Sequence, residues 1–164
     1  MLIKICGITR TEDAEAAVGA GADLVGFIFV PGTPRALDEA RSGWVREVEG
    51  AEKVGVFLDS PLDTVMRVRD LLGLDWIQLH GDEPDSFLEA LGEKVIRRVK
   101  VGTDIDWDQT ARLAERCLPL FDPGAGDGIT PMVGAAANNC ANVIDLGVLP
   151  WPGRCFSVQH PPGR

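Results

Sequence analysis

Several side chains that can carry proton transfer follow short apolar segments of this sequence. Cys6 ends the first such segment, and Asp122 follows the sixth, directly after Leu-Pro-Leu-Phe. A cysteine acts as a general base when a neighbouring charge favours its thiolate, and a buried carboxyl group can act as a general acid. Lys4 lies two residues before Cys6, so a strand places both side chains on one face, where we expect the ammonium group to favour the thiolate. Cys6 and Asp122 are therefore the candidate acid–base pair.

Three further polar residues occupy positions suited to ligand contact. Arg35 lies in the proline-flanked segment Pro-Gly-Thr-Pro-Arg and could bind a carboxylate through two parallel hydrogen bonds. Gln78 and His80 alternate with apolar residues, so a strand places them on one face. Plain structural interpretations remain open: a solvated Arg35, and a hydrogen-bonded core pair of Gln78 and His80. Likewise, Cys6 could be a small buried hydrophobic residue, and Asp122 a turn residue before Pro-Gly.

These residues need elements to position them, and the sequence alternates six apolar segments with amphipathic ones. The apolar segments begin near Ile3, Leu24, Val54, Trp76, Val95 and Leu118. They are short and nearly continuous, as is typical of strands buried on both faces. The amphipathic segments predict helices, including one with an apolar stripe over residues 37–48 and one that opens at Asp82-Glu83-Pro84, where the helix dipole favours acids. The alternation predicts parallel strands with functional residues at their carboxyl ends.

Two architectures satisfy this alternation, an open doubly wound sheet and an eight-fold barrel. No Gly-x-Gly-x-x-Gly motif follows any of the six segments, which weakens the dinucleotide-binding version of the open sheet. We therefore predict an α/β fold of the (β/α)8 TIM-barrel type. About six βα units are recognisable over residues 1–128, so the barrel is expected to be incomplete, with open edges at its first and sixth strands.

Residues 129–164 differ in composition from the rest of the chain. They hold three charged residues, Asp145, Arg154 and Arg164, against 38 in the preceding 128 residues. No helical or strand period is evident, and prolines near the end interrupt regular elements. We interpret this segment as an atypical tail of uncertain structure. Our hypothesis is that the reading frame is lost near Gly128, and the alternative is an ordinary divergent, loop-rich end.

Composition bounds the class of protein and its partners. The chain has 164 residues, is 45% hydrophobic and carries a formal net charge of −9, which fits a soluble globular domain and disfavours nucleic acid or an acidic membrane as its main partner. No segment has the length and hydrophobicity of a signal peptide or a membrane span. The four cysteines are far apart and two histidines accompany them, a poor set for zinc or for a disulfide framework. We expect a cytoplasmic protein.

Several motifs in order resemble one enzyme family. These are K-I-C-G-I-T, G-A-D-L-V-G-F-I-F, P-R, V-G-V-F, Q-L-H-G-D-E and L-F-D-P-G-A-G, over about residues 1–128. Together they resemble phosphoribosylanthranilate isomerase, a (β/α)8-barrel enzyme of tryptophan biosynthesis. The resemblance implies an aldose–ketose isomerase that performs an Amadori rearrangement of N-(5-phosphoribosyl)anthranilate to 1-(2-carboxyphenylamino)-1-deoxyribulose 5-phosphate.

The resemblance also implies roles for single residues. By it, Cys6 is the general base, Asp122 the general acid and Arg35 the group that binds the anthranilate carboxylate, while His80 lies at the substrate pocket. Gln78 shares a strand face with His80, and in a barrel that face would line the lumen, where we expect it to contact the ligand. It implies no cofactor, no metal, a small phosphorylated substrate, and a monomer or homodimer. The family's phosphate-binding loops after the seventh and eighth strands have no clear match here. Two alternatives therefore stay open, an inactive truncated barrel and a sugar-phosphate binding module.

Overall fold

The computed structural model describes residues 2–100, residues 105–122 and the backbone of residues 142–146. The strands are β1 Leu2–Cys6, β2 Leu24–Ile28, β3 Glu52–Phe57, β4 Trp76–Leu79, β5 Val95–Lys100, β6 Leu118–Asp122 and β7 Asn142–Leu146. The helices are α1 Thr11–Gly19, α2 Leu62–Leu72, α3 Ser86–Leu91 and α4 Trp107–Ala114, with two short 3-10 helices at Glu39–Arg41 and Gly43–Glu47. No helix in the described ranges is long and apolar enough to cross a membrane.

The strand order decides between the two predicted architectures. Strands β1 to β6 are parallel, and each pairs with the next strand in the chain. A doubly wound sheet reverses its order at a switch point, whereas a barrel keeps one sequential order. The described part of the chain therefore has the strand order of a (β/α)8 barrel, carried through six parallel strands, and this confirms the predicted fold class.

Apolar side chains cover both faces of the sheet but meet different neighbours on each. On the outer face, strand residues such as Val25 and Phe57 pack with helix residues such as Ala14, Val65 and Leu88. On the inner face, a separate cluster consists of strand residues alone, namely Leu24, Val54, Ile96, Leu118 and Leu120, with Leu2, Cys6 and Trp76 against it. Burial on both faces explains why the strands read as nearly continuous apolar runs.

The prediction of one helix over residues 37–48 is wrong. Two 3-10 helices lie there instead, joined at Ser42. The Asp38 side chain accepts a hydrogen bond from the Ala40 N–H, and the Ser42 hydroxyl donates to the Asp38 carbonyl oxygen at 2.6 Å. Such local side-chain bonds compete with a continuous helix. The apolar stripe still serves packing, since Trp44 lies edge-on to Phe27 with ring centroids 5.7 Å apart.

Strand β7 corrects two expectations about the end of the chain. It runs antiparallel to β1, with Leu2 opposite Leu146 and Cys6 opposite Asn142. The expected open edge at β1 is therefore covered, and the tail contains a strand that its composition did not reveal. The rest of the tail, and with it the hypothesis of a lost reading frame near Gly128, lies outside the described residues.

Candidate active site

Cys6 and Lys4 lie side by side on the inner face at the end of β1. Cys6 is opposite Gly26 in the register of β1 and β2. A Cβ atom added at Gly26 would lie 2.7 Å from Cys6 Sγ and 2.8 Å from Lys4 Nζ, so both groups occupy the space that the glycine leaves. The shared face that the sequence predicts is confirmed. Lys4 is only 1% exposed, and its Nζ has no hydrogen-bond partner among the described residues.

Lys4 is thus a buried cation beside the Cys6 thiol. Burial of a charge without a partner is costly. That Lys4 favours the thiolate of Cys6 stays a prediction.

Arg35 reaches from the loop after β2 to the end of β1. Its Nη1 donates a hydrogen bond of 3.0 Å to the Cys6 carbonyl oxygen. Its guanidinium group also packs over Gly7, where an added Cβ would lie 2.4 Å from Nη1, and Gly7 has a φ of +86°. No residue with a side chain could take the place of Gly7 without moving Arg35. The structure thus brings Arg35 and Cys6 together.

Gln78, His80 and Asp122 form a second group on the same face, with Gln78 and Asp122 buried. Gln78 Nε2 lies 3.2 Å from His80 Nδ1, and His80 Nε2 lies 3.4 Å from Asp122 Oδ2. An amide nitrogen donates and does not accept, so in this arrangement Nδ1 accepts and a neutral His80 carries its proton on Nε2. The ring then points that proton towards Asp122 Oδ2. Gln78 Oε1 is buried with no hydrogen-bond partner in the described ranges.

A rim of charge next to this group was not identified from the sequence. Arg98 and Lys100 alternate with Ile96 on β5, which places them on the inner face. Lys100 Nζ donates to both oxygens of Asp82, and this bond holds the pKa of the Asp82 carboxyl below its usual value. The alternation of Arg98 and Lys100 with Ile96 along β5 is the sequence signal that could have identified these two residues. Within the described ranges, no cluster of three or more histidine, cysteine or acidic residues could hold a metal ion.

The sequence profile described as N-(5'-phosphoribosyl)anthranilate isomerase matches residues 3–130. This chain belongs to that isomerase family. The matched range agrees with the predicted resemblance over residues 1–128.

Relatives within the family are similar over most of the chain. The isomerase of Geotalea daltonii is 40% identical over 134 residues, which are 78% of this chain and 65% of that protein. The isomerase of Geobacter sp. strain M21 is 43% identical over 155 residues, covering 90% of this chain and 76% of that protein. A match over 90% of this chain reaches beyond its first 128 residues. This chain therefore spans roughly two thirds to three quarters of these relatives.

Solved structures of the family share the fold. The phosphoribosylanthranilate isomerase of Thermotoga maritima, in a structure described as mutually generated monomers of a dimeric enzyme, superimposes with a TM-score of 0.65 at 33% identity and covers 73% of this chain and 64% of that one. A family structure in complex with reduced 1-(o-carboxyphenylamino)-1-deoxyribulose 5-phosphate has a TM-score of 0.65 at 31% identity, covering 73% and 63% of the two chains. The described sheet corresponds to part of these (β/α)8 barrels.

Proposed function

We propose that this chain catalyses the isomerisation of N-(5'-phosphoribosyl)anthranilate to 1-(2-carboxyphenylamino)-1-deoxyribulose 5-phosphate. The observation that carries the proposal is the placement of two proton-transfer groups on one face of the sheet. A thiol beside a buried ammonium group ends β1, and a buried carboxyl group facing an imidazole ends β6. Membership of the isomerase family and the relative that binds a reduced deoxyribulose 5-phosphate add support.

The reaction requires one acid and one base. Asp122, in its protonated form, would donate its proton to the ring oxygen of the ribose, which opens the ring to an iminium ion. The Cys6 thiolate would then remove the proton from C2, and the resulting enolamine would tautomerise to the ketone. The proton on His80 Nε2 faces the carboxylate that Asp122 becomes, so the imidazole would stabilise that charge.

Other side chains of the site suit the anionic and polar parts of the substrate. Arg35 would hold the anthranilate carboxylate, which places the aromatic ring near the end of β1, because its guanidinium lies against Cys6 and Gly7. Gln78 would contact substrate through Oε1, the buried atom that has no hydrogen-bond partner among the described residues. His80 would keep this amide and Asp122 in place.

The cellular setting follows from the same proposal. A biosynthetic enzyme with a small phosphorylated substrate belongs in the cytoplasm, and its partners would include neither nucleic acid nor membrane. We infer a monomer or a homodimer. Light scattering of the purified chain would decide between the two, and a larger assembly would contradict both.

The test is turnover of freshly prepared N-(5'-phosphoribosyl)anthranilate, followed as the fall in its fluorescence. We expect turnover by the wild-type chain and losses of about 10²- to 10⁴-fold in Cys6→Ala and Asp122→Asn, the usual contribution of a general base or acid. Cys117→Ala is the matched control, because Cys117 is a buried cysteine outside the site. It should keep wild-type activity.

Two outcomes would contradict the proposal. Full activity in Cys6→Ala would exclude Cys6 as the base. No turnover by a folded wild-type chain that still binds a reduced product analogue would favour the alternative of a sugar-phosphate binding module.

A further inference from the structure

The loops that follow β3 and β4 are joined by two acidic side chains, each of which accepts a hydrogen bond from the backbone of the other loop. Glu83, after β4, accepts hydrogen bonds from the Asp59 N–H at 2.9 Å and from the Gly81 N–H at 3.1 and 3.2 Å. Asp59, after β3, accepts one from the Asp82 N–H at 2.7 Å through its Oδ1. We call Asp59 and Glu83 the loop clamp.

The backbone conformation of the clamp and the close approach of its two loops permit few residue types. Asp59 is the one non-glycine residue with a positive φ, +49°, in the described ranges, a strained conformation that aspartate tolerates better than most residues. A Cβ at Gly81 would lie 2.1 Å from Asp59 Oδ1 and 2.7 Å from Asp59 N, so the two loops touch where only glycine fits. Surrounding contacts must hold such strain in place, and strained residues concentrate at functional sites.

The Glu83 carboxylate is buried, with the residue only 4% exposed, and no cation lies within ion-pair distance of it in the described part of the chain. A buried carboxylate is costly unless hydrogen bonds satisfy it. The three contacts to backbone N–H groups do so, and Arg97 in β5 donates to the Glu83 carbonyl oxygen. The buried carboxylate of Glu83 therefore holds the two loops together and does not stabilise a helix.

The clamp adjoins His80, whose ring lies against the proposed acid. Gly81 directly follows His80, whose own N–H donates to the Phe57 carbonyl oxygen at 2.9 Å. The backbone around His80 is therefore fixed to β3 on one side and by Glu83 on the other. The ring of His80 in turn faces Asp122. We propose that Glu83 and Asp59 are positioning residues that set the orientation of the His80 ring and, through it, of Asp122.

This inference rests on the proposed function for its kinetic consequence, but its structural part can be tested separately. The variants are Glu83→Ala, which removes the acceptor, and Glu83→Gln, which keeps one carbonyl oxygen for the N–H groups. Asp59→Ala and Asp59→Asn form the same pair for the other loop, and asparagine also tolerates positive φ. The matched control is Glu89→Gln, an exposed glutamate on α3 outside the clamp.

We expect the alanine variants to lower kcat by about 10- to 100-fold, with a much smaller change in KM, since misplacement of a reacting group by about 1 Å has effects of this size. Glu83→Gln and Asp59→Asn should recover much of the loss, and Glu89→Gln should match wild type. Imidazole signals in NMR spectra at one fixed pH give a second readout. The chain has two histidines, so His160→Gln assigns the His80 signals.

Both readouts have results that would overturn the proposal. If Glu83→Ala lowers the melting temperature but leaves kcat per folded molecule and the His80 signals unchanged, the clamp is only structural. If the wild-type chain shows no turnover, the proposed function fails, yet a shift of the His80 signals in Glu83→Ala that Glu83→Gln reverses still supports the clamp. Unshifted signals would reject it whatever the activity.

Discussion

Replacing Gly26 with alanine tests whether Cys6 must occupy its observed position. The added Cβ would lie 2.7 Å from Cys6 Sγ, 2.8 Å from Lys4 Nζ and 3.2 Å from Cys6 Cα, whereas ordinary contact begins at 3.4 Å. The thiol would therefore have to retreat by about 0.7 Å or more, because a closely packed interior offers no other space. The Lys4 ammonium group would have to move as well.

The expected loss of activity follows from this displacement of the Cys6 thiol. A shift of about 1 Å in a reacting group costs up to about 100-fold in rate, so we expect kcat/KM to fall by about 10- to 100-fold. Overpacking should also lower the free energy of unfolding by about 1–3 kcal/mol. The fluorescence assay gives the first quantity and urea denaturation the second.

Gly19→Ala is the control for this experiment. Nothing lies within 4 Å of an added Cβ at Gly19, the last residue of α1, and its φ is not positive. This variant should keep both its activity and its stability. Wild-type kcat/KM in a folded Gly26→Ala variant would contradict the role of Cys6 as the base, because Cys6 would then act equally well from a displaced position or would not act at all.

Three further changes have defined outcomes. Arg35→Lys should raise KM by about 10-fold or more, since hydrogen bonds to charged groups contribute about 1.5–3 kcal/mol; an unchanged KM would exclude Arg35 from carboxylate binding. Lys4→Met should slow alkylation of Cys6 by iodoacetamide at pH 7, measured by peptide mass spectrometry, and equal rates would show that the ammonium group does not favour the thiolate. Burial raises the pKa of Cys117 from 9.0 to about 11, so the unfolded chain ionises first and the free energy of unfolding should fall as pH rises from 9 towards 11. Cys117→Val should remove this part of the fall in the free energy of unfolding, which urea denaturation at each pH measures. A pH profile identical to that of the wild type would contradict the burial of the Cys117 thiol.

The parallel strands were predictable because burial on both faces leaves a local signature in the sequence. Each of the six apolar runs became a strand, and the rule that functional residues follow strands selected Cys6 and Asp122. The prediction of one helix over residues 37–48 was wrong because its apolar pattern does not report a helix. Its apolar spacing reflects packing against the outer face, while Asp38 and Ser42 form local bonds that interrupt a helix.

Glu83 shows why part of the site could not be predicted. Its place after a strand and before a helix favours a role at the helix N-terminus, but α3 begins later, at Ser86, and the carboxylate binds the Asp59 N–H, 24 residues earlier in the chain. A contact between loops across that separation leaves no periodic signal. Strand β7 was missed because it pairs with β1, at the other end of the sequence, and such a contact leaves no local pattern.

The pairing of β1 with β7 has a consequence for the order of folding during synthesis. Strands β2 to β6 each find a partner that left the ribosome shortly before them. β1 gains its second partner only when residues near the far end of the chain emerge. Contacts at such sequence separation form late, because a long loop must close first. Among β1 to β5, β1 therefore waits longest for its second partner, and until then its free edge can capture strands from other nascent chains.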